Sequence, residues 1–261
     1  MKIAVIGTGN LGQAIITGLI KKDFLQQNTL WATRRNVASI QFLAEKGVNI
    51  TQNNIEAVQN SDIVILGVKP FMIEEVLQDL KPYLKPNHQL VSLAAGFSLD
   101  QLKQLVPQNI AIHRVMPNTA AAVNESVTML TSHVENKIDN KQIQELFNQV
   151  GLCVEIQENQ MDAATILGAS GIAYAMRFVR AMAQGGVEIG FTAQTATTIV
   201  NQMMKGAATL LLQGENHVEA EIDKVTTPKG CTIVGLNTME ENGFSSSVVQ
   251  GVAKSYQKLQ K

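Results

Sequence analysis

The chain has 261 residues, 45% of them hydrophobic, enough for one large domain or two modest ones. Lys+Arg (21) nearly balances Asp+Glu (22), and a net charge of -1 offers no electrostatic footprint for nucleic acid or an anionic membrane. No apolar run approaches the ~18 residues of a membrane span, and Met1 and Lys2 lead straight into a strand rather than a signal peptide, so a soluble cytoplasmic protein is expected.

The first half alternates strands with helices. Lys2–Gly7 (KIAVIG) is a short apolar run ending in glycine, the mark of a buried parallel strand. Leu11, Ala14, Ile15, Gly18 and Leu19 then recur at helical spacing. Thr29–Thr33 reads as the second strand, and Ser39–Lys46 as a helix stopped by Gly47. Asp62–Val68 is another buried strand and Glu74–Leu80 a helix. Gln89–Gly96, Ile110–Met116 and Ser126–Thr131 follow as strands. Repeated strand–helix units imply a parallel sheet covered on both faces.

Beyond about Ile156 the pattern changes. From Gln160 to Leu212 there is no strand pattern, and the segments are apolar around most of the helix, so they need burial on more than one side. Ala163, Ala164, Gly168, Ala169, Ala173 and Ala175 permit close helix approach. About a hundred residues offer too little interior for that much apolar surface, which points to cover by a second subunit. The expected organisation is a doubly wound domain over 1–157 and an all-helical domain over 158–261. Cys153 and Cys231 form no CxxC or metal spacing, and no metal is expected. They are either a pair or, as a cytosolic setting favours, two free thiols.

Between the first strand and the first helix stands Gly7-Thr8-Gly9-Asn10-Leu11-Gly12, the spacing G-x-G-x-x-G. Gly7 permits the tight turn, Gly9 leaves room for a pyrophosphate against the backbone, and Gly12 lets the helix pack on the sheet. The helix N-terminus adds unpaired N–H groups for phosphate. The second strand ends near the adenosine ribose in such sites, where an Asp or Glu would accept from the 2′-hydroxyl of NAD. Here Thr33, Arg34 and Arg35 stand instead. A hydroxyl and two guanidinium forks suit the 2′-phosphate of NADP(H), so NADPH is expected over NADH. His113, inside a strand, is expected to be a packed core histidine.

Further along, Val68-Lys69-Pro70, Met116-Pro117-Asn118-Thr119 and Val225-Thr226-Thr227-Pro228-Lys229-Gly230-Cys231-Thr232 complete a series of motifs in order. With the glycine turn, these resemble pyrroline-5-carboxylate reductases over essentially the whole chain, and the Val225–Thr232 loop is the most specific of them. The resemblance implies an N-terminal Rossmann domain and a C-terminal helical dimerisation domain, in homodimers often built into larger rings. It implies reduction of 1-pyrroline-5-carboxylate to L-proline with NAD(P)H. The turn Gly7–Gly12, Thr33, Arg34, Arg35, Asn54, Val68, Lys69, Pro70, Ala94 and Asn118 would then serve the cofactor. Ala95, Glu215, Thr227, Lys229, Gly230, Cys231 and Thr232 would serve the substrate. The Thr232 hydroxyl would bond the ring nitrogen, making it the catalytic candidate. Two stretches differ from the pattern the resemblance implies: Ala169-Ser170-Gly171-Ile172-Ala173-Tyr174 stands where the family usually reads Gly-Ser-Gly-Pro-Ala-Tyr, and Val218 replaces a proline after His217.

Two other readings remain open from the residues. One is a different NADP-linked dehydrogenase, such as one acting on β-hydroxyacids; these use a lysine from the long helix, where Gln160–Gly190 holds Arg177 and Arg180 but no lysine. The other is a non-catalytic NADP(H)-binding regulatory protein.

Overall fold

A computed structural model describes residues 1–133 and 140–260. Its contacts divide the chain into two compact units, Met1–Ser170 with the chain's end from Tyr256, and Gly171–Ser255. The first unit contains β1 (Lys2–Ile6), α1 (Asn10–Lys21), β2 (Thr29–Thr33), α2 (Gln41–Ala44), β3 (Asn49–Thr51), α3 (Asn54–Gln59) and β4 (Ile63–Leu66). It continues with α4 (Ile73–Leu80), β5 (Gln89–Ser92), α5 (Leu99–Leu105), β6 (Ala111–Met116), β7 (Ser126–His133), α6 (Lys141–Asn148) and β8 (Gly151–Glu155). After α7 (Met161–Ala164) the helix widens into a π-helical stretch, Thr165–Ser170.

The strands form one sheet in the order β3-β2-β1-β4-β5-β6-β7-β8. From β3 to β6 every neighbouring pair is parallel. Their side chains alternate between two apolar cores. Ile3, Val5, Ile65 and Val91 pack with Ile15 and Leu19 on one face, and Ala4, Ile6, Val64 and Leu66 with Leu77 and Leu80 on the other. Both faces are buried, which is why these strands read as continuous apolar runs.

The expected all-parallel sheet needs one correction, because β7 runs antiparallel to β6, with Ile112 opposite His133 and Met116 opposite Met129. Only residues 117–125 join them, short of the roughly dozen residues that a parallel crossover requires. Two strands absent from the sequence reading, β3 and β8, are the sheet's edges. Ser39–Lys46 is partly corrected too: a 3₁₀ turn, Val37–Ile40, precedes the short α2.

The second unit is helical throughout: α8 (Gly171–Glu188), α9 (Ala193–Gln213), α10 (Val218–Lys224), α11 (Cys231–Glu241) and the start of α12 (Phe244–Leu259). Its helices bury almost nothing within the chain. No residue of α8, α10, α11 or α12 is buried, and in α9 only Ala196 and Val200 are. Ile189 is 77% exposed, Leu212 83% and Val249 66%.

Candidate functional site

The four parallel strands β1, β2, β4 and β5 point the same way, and at the carboxyl end of the sheet each is followed by a loop that carries motif residues. After β1, Gly7 takes φ +81, and a Cβ on it would overlap Val68. A Cβ on Gly12 would come within 3.2 Å of Val5 Cγ1, so that glycine lets α1 close on the strand. A Cβ on Gly9 would meet nothing within 4 Å, leaving open space over the backbone. Gly9 is also the N-cap of α1, which has no side-chain cap and no acidic residue in its first turn. A 12-residue helix thus presents unpaired N–H groups beside an open glycine, the arrangement that accepts a phosphate.

At the end of β2 the residues divide their work. Thr33 is buried, at 1% exposure. Its Oγ1 accepts from Gly7 N–H at 3.1 Å and donates to Asn54 Oδ1 at 2.6 Å. The hydroxyl proposed from the sequence as a phosphate donor is therefore spent inside the protein, because its place in the β2 pleat turns it toward β1 and α3. Arg34 is half-buried and lies over the turn, its Nη1 donating to Thr8 O at 3.2 Å. Arg35 is exposed. Neither arginine has an acidic partner among the described residues, so both keep their charge for an external anion. Thr8 itself is buried and bonded, its N–H to Thr33 O and its hydroxyl to Val5 O.

Val68 after β4 is half-buried against the glycine turn, while Lys69 and Pro70 are exposed. Pro70 opens a 3₁₀ turn, where its missing N–H costs nothing. Beyond β5, Ala94 is buried, Ala95 half-buried, and Gly96 turns the chain at φ +78. A residue that sequence reasoning passed over fixes the far end of this loop. Glu158 accepts from Leu99 N–H at 2.6 Å and from the buried Arg114 at 3.0 Å. Nothing local marks it, since its partners lie 59 and 44 positions away. Asn118 is buried, with Oδ1 accepting from Ala120 N–H and Nδ2 donating to Gly168 O. His113 is a core residue, as expected: fully buried, its Nδ1 2.7 Å from Ser132 Oγ, and its pKa lowered by burial to about 4.

In the helical unit, Val225–Thr232 forms the turn into α11. Lys229 sits in the left-handed region at φ 61, and Gly230 N–H bonds Thr227 O at 2.9 Å. A Cβ on Gly230 would crowd Thr227 Oγ1 at 2.5 Å, so only glycine closes this turn. Gly230 is the N-cap of α11, again with neither a side-chain cap nor an acid in the first turn. Thr226 and Thr238 donate to carbonyls four residues back. The hydroxyl of Thr232, half-buried, has no such partner among the described residues. Cys231 beside it is exposed and free, whereas the thiol of Cys153 is buried and pushed up to about 11. Glu215 and Thr227 are exposed. His217 caps α10, and Val218 takes the first helical position, where a proline would be equally at home.

A doubly wound sheet with an uncapped glycine turn, joined to a helical unit with exposed apolar faces, defines a dinucleotide-dependent oxidoreductase class. The family model described as NADP oxidoreductase, coenzyme F420-dependent, matches residues 2–96, and that for pyrroline-5-carboxylate reductase dimerisation matches 158–261. Pyrroline-5-carboxylate reductase 2 of Dictyostelium discoideum is 36% identical over 99% of this chain and 92% of its own length. Pyrroline-5-carboxylate reductase 1 of the same organism is 40% identical over 98% of this chain, which spans only 49% of that relative. Among solved structures, Plasmodium falciparum pyrroline carboxylate reductase with NADP bound superposes with a TM-score of 0.88, at 28% identity, over 99% of this chain and 97% of that one. The Streptococcus pyogenes enzyme gives 0.87 at 30% identity, over 99% and 98%. The chain belongs to the pyrroline-5-carboxylate reductase family.

Proposed function

We propose that the chain reduces 1-pyrroline-5-carboxylate to L-proline with NADPH, as a cytoplasmic homodimer. The observation that carries this is the Thr232 hydroxyl, free of protein partners among the described residues, on the first turn of the uncapped helix α11. The N–H groups of that turn suit a carboxylate. The hydroxyl suits a ring nitrogen at each stage, because it can donate to an imine or rotate to accept from an iminium or amine N–H. A fixed carboxylate could only accept.

The cofactor fits the first unit. Gly7, Thr8, Gly9, Asn10, Leu11 and Gly12 would hold its pyrophosphate, and Arg34 and Arg35 the 2′-phosphate that makes NADPH preferred over NADH. Asn54, Val68, Lys69, Pro70, Ala94 and Asn118 complete that assignment. When bound, the dinucleotide supplies a hydride. The protein's own part is to hold the two partners and to keep the imine nitrogen hydrogen-bonded, since a protonated imine accepts hydride at carbon far more readily than a neutral one. Ala95, Glu215, Thr227, Lys229, Gly230 and Cys231 are assigned with Thr232 to the substrate. No acid–base dyad is needed, because the imine takes its proton from water.

The helical unit supports the homodimer. Its exposed apolar faces surround a groove of about 710 Å³ lined by Phe178, Met182, Ile189, Ile199, Met239 and Phe244. Contiguous apolar surface of this kind belongs against a partner.

Steady-state kinetics of Thr232→Ala and Thr232→Ser test the assignment. Thr232→Ala should lose turnover by about a hundredfold with NADPH affinity unchanged, the cost of one hydrogen bond to a charged group toward the upper end of its range. Thr232→Ser should keep most of it. Parental turnover by Thr232→Ala would place the substrate elsewhere.

A further inference from the structure

Resting on the cofactor reading above, we infer that Thr33 is a positioning residue for the dinucleotide, acting through Asn54 and the glycine turn, and takes no part in choosing between NADPH and NADH.

A threonine hydroxyl has one proton to give. At Thr33 that proton goes to Asn54 Oδ1, 2.6 Å away, and a lone pair takes the Gly7 N–H at 3.1 Å. The backbone reinforces the link, with Thr8 N–H donating to Thr33 O at 2.8 Å. One buried side chain therefore joins three segments: the glycine turn, the end of β2 and the first residue of α3. The chain of donors has a direction, from Gly7 N–H to Thr33 and on to Asn54. This direction sets the Asn54 amide. With Oδ1 held by Thr33, the NH₂ group must occupy the other branch, and among the described residues nothing accepts from it. Asn54 is half-buried, so that NH₂ remains open to a ligand. Without the Thr33 proton the amide could flip and present its oxygen instead, an acceptor facing the electron-rich oxygens of the adenosine half. At the same time the Gly7 N–H would lose its buried acceptor, loosening the turn.

Thr33 and Arg34 are thus neighbours with separable duties. Arg34 lies outside on the turn, and Thr33 lies beneath it. A group shared by both cofactors should sense Thr33; only the 2′-phosphate should sense Arg34.

The test is fluorescence titration of the purified chain with NADPH and with NADH, for the parent, Thr33→Val, Thr33→Ser and Asn54→Ala. Thr33→Val keeps the shape and burial but removes both hydrogen bonds. It should raise the dissociation constants for NADPH and NADH by the same factor, about tenfold. Thr33→Ser should restore both to within about twofold of the parent, a rescue that a packing role for the methyl would not give. Asn54→Ala should match the loss of Thr33→Val, again equally for both cofactors. It keeps the inference falsifiable if Thr33→Val fails to fold. The double variant should lose less than the product of the single losses, since the two residues share one interaction. A loss confined to NADPH would make Thr33 a reader of the 2′-phosphate and overturn the inference, as would parental affinity in either Thr33→Val or Asn54→Ala. Failure of the parent to bind either dinucleotide would remove the cofactor reading itself. Binding without turnover of pyrroline-5-carboxylate would remove only the proposed reaction, leaving the titration to decide on Thr33.

Discussion

Asn118 Nδ2 donates to the carbonyl of Gly168 at 2.9 Å, across fifty residues of sequence. The acceptor lies in the π-helical stretch Thr165–Ser170, and the donor starts the turn between β6 and β7. A π-helical turn releases carbonyls from the regular i→i−4 ladder, and such turns cluster at functional positions. Gly168 is also pressed on Met129: a Cβ there would fall 2.6 Å from Met129 Cε. Of the small residues seen in the sequence around 163–175, Gly168, Ala164 and Ala169 serve close packing here, whereas Ala163, Ala173 and Ala175 are exposed. Replacing Asn118 by Ala would remove the partner of two part-buried backbone groups, Ala120 N–H and Gly168 C=O, and should cost about 1–3 kcal/mol in urea unfolding, the net worth of two hydrogen bonds. Asn118→Asp keeps the first bond but sets a carboxylate against the Gly168 carbonyl, so it should be destabilised at least as much. Parental stability of Asn118→Asp at neutral pH would contradict this.

Arg34 is the expected reader of the 2′-phosphate. Losing one charge-assisted hydrogen bond should weaken NADPH about 10- to 150-fold while leaving NADH nearly unchanged. Binding constants for both cofactors with Arg34→Ala check this. An equal loss for both would show that its bond to Thr8 O is what matters, and that Arg34 is structural.

The helical unit predicts an obligate dimer. Apolar surface as open as that of Ile189, Leu212 and Val249 favours association over a stable single chain. Sedimentation at micromolar concentration should find no monomer; a stable monomer would leave those faces without an explanation.

His113 should govern part of the stability at mildly acidic pH. Burial lowers its pKa from the ordinary 6.5 to about 4, so the unfolded chain binds the proton more readily than the folded one. Stability is then complete above about pH 6.5, falls as pH drops toward 4, and ceases to fall from this cause below that. The drop corresponds to about 3 kcal/mol as an upper figure. His113→Gln, which cannot titrate, should flatten the dependence of unfolding free energy on pH between 6.5 and 4. An unchanged slope would assign the acid sensitivity to other groups.

Much of this was legible in the sequence, for identifiable reasons. The parallel strands are buried on both faces, so Lys2–Ile6 and Ile63–Leu66 appear as unbroken apolar runs. The glycine turn sits at residue 7 between a strand and a helix, which leaves few other meanings. The edge strands were not legible: β3 is three residues long, and β8 puts the apolar Leu152 and Val154 on its exposed face and Cys153 on its buried one, so its residue types do not alternate as its burial does. The duties of Thr33 and Asn118 were also hidden. Each depends on a partner 21 or 50 positions away, and only tertiary packing decides whether a polar side chain faces a ligand or the protein's own backbone.

The most direct test of the proposed reaction is NADPH oxidation by the purified chain on addition of synthetic 1-pyrroline-5-carboxylate, with the product identified. Stoichiometric conversion to L-proline is expected, faster with NADPH than with NADH at equal concentration. Tight NADPH binding with no proline formed would contradict it.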